Sequence, residues 1–163
     1  MARVTVEGLP PRVGLPDAAA TEALGARLAP FLRPGDLILL EGALGAGKTT
    51  LVRGLVAALG GDPAEVCSPT FVLLESYAVS AGGIRRFHHA DLYRLRGQRS
   101  APLDEVGLGD AIDDPDAVTA VEWPESWEWL GGLAHRVLRV RLDHRNDTGS
   151  ARVEWLDAKG GET

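Results

Sequence analysis

The chain has 163 residues, 45% hydrophobic and 25% charged, with a formal net charge of −6; these proportions fit one soluble globular domain with a sizeable core and exclude a disordered chain. An acidic chain is a poor autonomous binder of nucleic acid, because that affinity comes mainly from neutralising phosphates. No apolar run reaches membrane-spanning length, the N-terminus has no apolar signal core, and the one cysteine, Cys67, cannot form an intramolecular disulfide, so a cytoplasmic protein without membrane association is expected.

In chain order, residues 3–7 alternate Val4 and Val6 with polar neighbours and predict a short edge strand. Asp17 is placed to cap an Ala-rich helix that carries Leu24 and Leu28 and ends near Pro30. Residues 37–40 are a continuous apolar run after Pro34-Gly35-Asp36, the pattern of a strand buried on both faces. From Thr49 onward, Leu51, Val52, Leu55, Val56 and Leu59 fall on one helical stripe, which Gly60-Gly61-Asp62-Pro63 terminates. Residues 71–77 and 84–89 read as two strands joined around Gly82-Gly83, and 118–121 as a third that runs into Glu122. Leu138, Val140 and Leu142 alternate with Arg139 and Arg141, and a turn at 146–149 leads back through 152–156, predicting a terminal hairpin. There is no internal repeat. The expected fold is α/β, a single domain over 1–163 with a mixed sheet flanked by helices; residues 15–130 carry the motifs and 131–163 the hairpin and tail.

Residues 42–49, Gly-Ala-Leu-Gly-Ala-Gly-Lys-Thr, match G-x-x-x-x-G-K-[ST], with a buried strand before and an amphipathic helix after. Glycines at 42, 45 and 47 let the backbone curl so that successive N–H groups, with those of Leu44, Ala46 and Thr50, converge on phosphate oxygens at a helix N-terminus. Lys48 and Lys159 are the two lysines among 17 basic residues. An otherwise Arg-rich chain keeps Lys48 because a slim ammonium fits such a nest, which the broad guanidinium fork does not. Thr49 would place its hydroxyl on Mg²⁺. The N-K-x-D element that reads guanine is missing, so adenine is favoured by elimination; residues 104–107 match D-x-x-G but follow no buried strand, and that match is coincidental.

A phosphate loop of this kind also needs an acid at the end of a neighbouring strand, to hold Mg²⁺ or its waters. Glu122 and Asp91 both qualify, each also readable as a solvated strand-end carboxylate. His89 and Asp91 would share a strand face, but without a third ligand a metal site there is the weaker reading. Trp123, Trp127 and Trp129 follow Glu122, and core packing accounts for part of that signal.

Several stretches, in order and spacing, resemble the TsaE (YjeE) family: residues 42–50, Ser68-Pro69-Thr70-Phe71, Glu75 with Tyr77, residues 89–95 (His-Ala-Asp-Leu-Tyr-Arg-Leu), Gly107 with Asp110, and residues 121–125 (Val-Glu-Trp-Pro-Glu). The resemblance implies a small P-loop ATPase with Mg-ATP binding and slow hydrolysis. It implies that this activity supports TsaB and TsaD type partners, which form threonylcarbamoyladenosine at position 37 of tRNAs reading ANN codons, so that tRNA is met only through them. It casts Lys48 as the phosphate-binding lysine and Thr49 and Glu122 as Mg²⁺ ligands. Asp91 becomes the acid that handles water or the metal's outer waters, and Ser68 to Thr70 the loop that senses the γ-phosphate. The chain departs from the family at Ala43, where an Asp is usual; the expected consequence lies in loop rigidity or partner contact. Two other readings compete: a small-molecule kinase with residues 94–99 as a phosphate-clamping lid, and a nucleotide-binding interaction module of negligible turnover.

Overall fold

The apolar run at 37–40 becomes β3 (Leu37–Glu41), a central strand around which the other elements are arranged. The structure, a computed structural model, describes residues 3–68, 73–98, 106–125, 128–145 and 148–157. Before β3 come β1 (Arg3–Thr5), β2 (Val13–Leu15) and α1 (Ala18–Leu28). After it come α2 (Lys48–Ala58), β4 (Leu74–Ala78), β5 (Arg86–Asp91), α3 (Leu108–Asp113), β6 (Ala117–Glu122), β7 (Arg136–Arg145) and β8 (Thr148–Asp157). The described strands form one sheet in the order β1-β8-β7-β3-β6-β5-β4, with β2 also pairing on β8.

The four strands β7, β3, β6 and β5 run parallel, and the antiparallel strands β4 and β8 flank them. The mixed sheet expected from the sequence is therefore present. Alternation along β3 explains its position: Ile38 and Leu40 enter the core beneath α1 and α2, while Leu37 and Leu39 enter a second core with Leu108, Ile112 and Leu130. Buried on both faces, β3 carries no polar residue until its end at Glu41.

Both long helices form as their sequences require. The Asp17 carboxylate accepts the Ala20 N–H at 2.7 Å and caps α1. On α2 the stripe Leu51, Val52, Leu55 and Val56 is completely buried, and each such side chain contributes about 1.5–3 kcal/mol on burial. Gly25 and Gly54 set how closely the helices approach. A Cβ on Gly54 would lie 2.1 Å from the Glu22 carbonyl oxygen, and one on Gly25 would lie 2.5 Å from that of Leu51.

Some boundaries differ from the sequence expectation. The strand expected at 84–89 is β5, Arg86–Asp91. Ile84 instead closes the preceding turn, its N–H on the Ala81 carbonyl at 3.0 Å, and pairing with β6 then runs from Arg86↔Ala117 to Asp91↔Glu122. The terminal hairpin is longer than expected, pairing from Arg136↔Asp157 to Arg145↔Thr148. It is no appendage, because β7 lies parallel beside β3. Sequence periodicity gave no sign of β2 or α3, which are too short for a repeat to show. The expected strand residues 71 and 72, the D-x-x-G residue Asp104, turn residues 146 and 147, and Lys159 lie outside the described residues.

Candidate nucleotide-binding site

Strand β3 delivers the chain to residues 42–47, and α2 begins at Lys48, so the motif sits between a buried strand end and a helix N-terminus. Gly47 makes the turn into α2 at φ 105°, in the left-handed region that favours glycine. Gly42 is pinned from below, where a Cβ would meet the Leu142 carbonyl oxygen at 2.8 Å. The Lys48 ammonium donates to the carbonyls of Gly42 at 2.5 Å and Ala43 at 2.9 Å, and lies 4.3 Å from the centre of the Trp123 ring. Burial pulls its pKa below the usual lysine value, and the carboxylates of Glu122, Glu125 and Asp91 oppose that pull. The lysine is thus a half-desolvated cation beside three acids, held on the loop it would serve.

The two acids left open by the sequence arrive together because β5 and β6 are parallel neighbours in register: Asp91 lies opposite Glu122 at the strand ends. Leu40 of β3 lies opposite Glu122 on the other side, so all three strands deliver their C-terminal ends to one edge. This is the edge at which open α/β sheets bind ligands. Thr49 donates its hydroxyl to Glu122 at 3.3 and 3.4 Å. Asp91 accepts the Ser68 hydroxyl at 3.1 Å and the Tyr93 N–H at 2.9 Å. Both acids are buried, as is Lys48.

A cleft of about 290 Å³ gathers Lys48, Thr49, Ser68, Asp91, Glu122 and Trp123, with Leu44, Gly45, Gly47 and Thr50 completing its wall. Ala46 lines a second cleft, about 170 Å³, on the other side of the loop, where Gly45, Gly47 and Thr50 meet Asp17, Thr21 and His144. The Thr70 of the expected sensing loop lies outside the described residues, as do Trp127 and Arg99. The remaining residues expected to bind nucleotide or metal, or to act on the bound water, belong to the loop or to one of these two clefts.

The donor set suits Mg²⁺. It offers hard oxygens, a hydroxyl and carboxylates, and an octahedral shell at 2.0–2.1 Å puts adjacent oxygens about 3 Å apart, close to the Thr49–Glu122 separations. Among the described residues no three His, Cys, Asp or Glu side chains converge as a metal cluster. Magnesium bound to phosphates needs none, since phosphate and water fill most of its shell. The alternative metal reading of His89 with Asp91 gains no third ligand: the His89 ring instead meets Glu122 through Nε2 at 2.7 Å and Tyr77 through Nδ1 at 3.2 Å.

Two roles were not legible in the sequence. Trp123, at φ 61°, turns its ring toward Lys48 and meets Tyr93 edge-on at 5.0 Å; the tryptophan grouping after Glu122 was visible, but not which ring would face the loop. Trp129, by contrast, is 53% exposed and takes no part in core packing. Glu125 also lies near enough to affect Lys48, and burial raises its own carboxyl pKa. In the run proposed as a lid, the Arg96 guanidinium lies 3.5 Å from the Tyr93 ring centre and donates to the Tyr93 carbonyl at 2.9 Å.

The family model for the threonylcarbamoyl adenosine biosynthesis protein TsaE matches residues 15–153, reaching through β7 into β8. The chain is similar to the tRNA threonylcarbamoyladenosine biosynthesis protein TsaE of Mycobacterium leprae, 40% identical over 140 residues that cover 85% of this chain and 81% of the relative. It is 46% identical over 138 residues to the protein of the same description from Streptomyces coelicolor, covering 84% and 88%. Among solved structures it is similar to Bacillus subtilis YdiB, with a TM-score of 0.63 and 25% identity over 90% of this chain and 84% of the other.

Proposed function

Since this chain belongs to the TsaE family, with its role in tRNA threonylcarbamoyladenosine biosynthesis, we propose that it is a Mg²⁺-dependent ATPase that supports TsaB and TsaD type partners in that modification. The observation that carries the reading is the convergence of Lys48, Thr49, Ser68, Asp91 and Glu122 on one cleft at the C-terminal edge of the parallel strands. The backbone N–H groups of 42–50 and the N-terminus of α2 cradle the triphosphate. The second cleft, continuous with the loop through Gly45, Gly47 and Thr50, takes the nucleoside.

On binding, Lys48 exchanges the Gly42 and Ala43 carbonyls for β- and γ-phosphate oxygens, a short move for a flexible side chain and a gain in charge pairing. Thr49 and Glu122 would hold Mg²⁺, which would supply charge neutralisation to the bound phosphates. Asp91, with Ser68 on its carboxylate, orients a water for in-line attack on the γ-phosphorus. The bond to the β–γ bridging oxygen breaks, giving ADP and phosphate, and the water's proton leaves with phosphate or through Asp91. The cleft opens at Leu44, 66% exposed, so turnover alone is expected to be slow until a partner closes it.

The chain contributes hydrolysis and no modification chemistry, and its net charge of −6 leaves tRNA contact to the partners. The test is multiple-turnover modification of unmodified tRNA by the partner proteins with wild type or Lys48→Ala added. Full repeated turnover with the Lys48→Ala protein would refute hydrolysis as its contribution.

A further inference from the structure

Glu122 is nearly unexposed, yet its hydroxyl contacts from Thr49 are long, at 3.3 and 3.4 Å. The short bond on that carboxylate is the one from His89 Nε2, at 2.7 Å. His89 is itself wholly buried in β5, and its other nitrogen meets the Tyr77 hydroxyl of β4 at 3.2 Å. The same hydroxyl reaches the Cys67 carbonyl at 3.4 Å, next to the Ser68 that bonds Asp91. A chain of polar contacts therefore runs from the segment before residue 69, through Tyr77 and His89, to Glu122 and Thr49.

We infer that His89 is a positioning residue that fixes the Glu122 carboxylate for its cation, and that Tyr77 holds the imidazole in the orientation this needs. A carboxylate only accepts, so Nε2 must carry a proton. At the other side of the ring, Nδ1 lies 3.2 Å from the Tyr77 hydroxyl, so both ring nitrogens are engaged and the imidazole cannot turn away from Glu122. With Oε2 held by Nε2–H, the carboxylate cannot rotate freely between solvent-facing and Thr49-facing orientations. Partners behind a metal-binding side chain characteristically set its orientation and affinity in this way. Burial strengthens the argument, because no water competes for His89.

The inference rests on the Mg-ATP reading above, and one experiment separates the two. Calorimetric titration measures ATP binding to the full chain with and without Mg²⁺, using wild type, His89→Phe, His89→Gln and Tyr77→Phe. Wild type that binds ATP without any Mg²⁺ dependence overturns the Mg-ATP reading itself. Given a dependence in wild type, His89→Phe should raise the Mg²⁺ concentration for half-maximal binding by roughly 10–100-fold while metal-free ATP affinity stays near wild type. His89→Gln, whose amide N–H reaches the Nε2 position, should recover most of that shift. Tyr77→Phe, which keeps the ring and loses the hydroxyl, should move the midpoint in the same direction by a smaller factor. An unshifted midpoint in His89→Phe, or equal losses with and without Mg²⁺, overturns the positioning role. Should His89→Phe not fold, Tyr77→Phe decides alone, and an unshifted midpoint there overturns it.

Discussion

Replacing Gly54 by alanine puts one carbon where the backbones of α1 and α2 already touch. The new Cβ would lie 2.1 Å from the Glu22 oxygen, 2.8 Å from its carbonyl carbon and 2.9 Å from its Cα. Ordinary carbon–oxygen contacts start near 3.3 Å, so the helices must separate by about 1 Å. All three obstacles are backbone atoms, and no side chain can swing aside. Overpacking costs about 1–3 kcal/mol, and this site belongs at the upper end, about 3 kcal/mol. Alanine's better helix propensity returns about 1 kcal/mol. The net expectation is a loss of about 2 kcal/mol, which at a urea m-value of about 2 kcal/mol/M lowers the midpoint by about 1 M. The assay is urea unfolding followed by circular dichroism at constant m. Gly131→Ala is the control, since a Cβ there meets nothing within 4 Å, and it should stay within about 0.5 kcal/mol of wild type. A Gly54→Ala protein as stable as wild type would refute the claim that this contact sets the helix spacing. Because α2 begins at Lys48, the same displacement should weaken ATP binding, which calorimetry reads independently.

Lys48→Arg should hydrolyse ATP far more slowly than wild type while unfolding at the same urea concentration, because the guanidinium fork does not fit where the ammonium meets the Gly42 and Ala43 carbonyls; near wild-type phosphate release would contradict this. Glu122→Gln should raise the Mg²⁺ requirement as well as slow turnover, whereas Asp91→Asn should slow turnover with nucleotide affinity nearly unchanged, and a Mg²⁺ titration showing the reverse pattern would exchange their roles. Far from the site, the Arg86 guanidinium, bonded to Asp114 at 2.6 and 2.8 Å, holds that carboxyl below its ordinary 3.8. A depressed carboxyl stabilises the fold fully above its unfolded value and loses that contribution as pH falls from 3.8 toward the folded value. Asp114→Asn should therefore be less stable than wild type at neutral pH, with the gap closing in that acid range; a gap constant with pH would refute the pairing.

Local order was enough to reveal the strand, loop and helix that carry the motif of residues 42–49. Strand, loop and helix N-terminus are contiguous from 37 to 58, glycine and lysine requirements fall at fixed offsets, and the apolar stripe of α2 repeats at helical spacing. Strand-end acids were legible for a related reason: Glu122 closes the short strand pattern at 118–121, and Asp91 lies just past the expected strand 84–89. Other features depend on which strands become neighbours. That Asp91 and Glu122 face one another follows from the parallel register of β5 and β6, which no local pattern encodes. The terminal hairpin expected from the sequence is present, but the placement of β7 beside β3 inside the sheet depends on long-range pairing. His89 read as a possible ligand from its spacing to Asp91, whereas its partner is Glu122 on the adjacent strand, 2.7 Å away. Likewise Gly25 and Gly54 look like blemishes in two helical patterns until the helices meet. Chain-local chemistry was determined by the sequence alone; the partners of buried polar groups and the close approach of backbones were decided by tertiary packing, because both depend on atoms far apart in the chain.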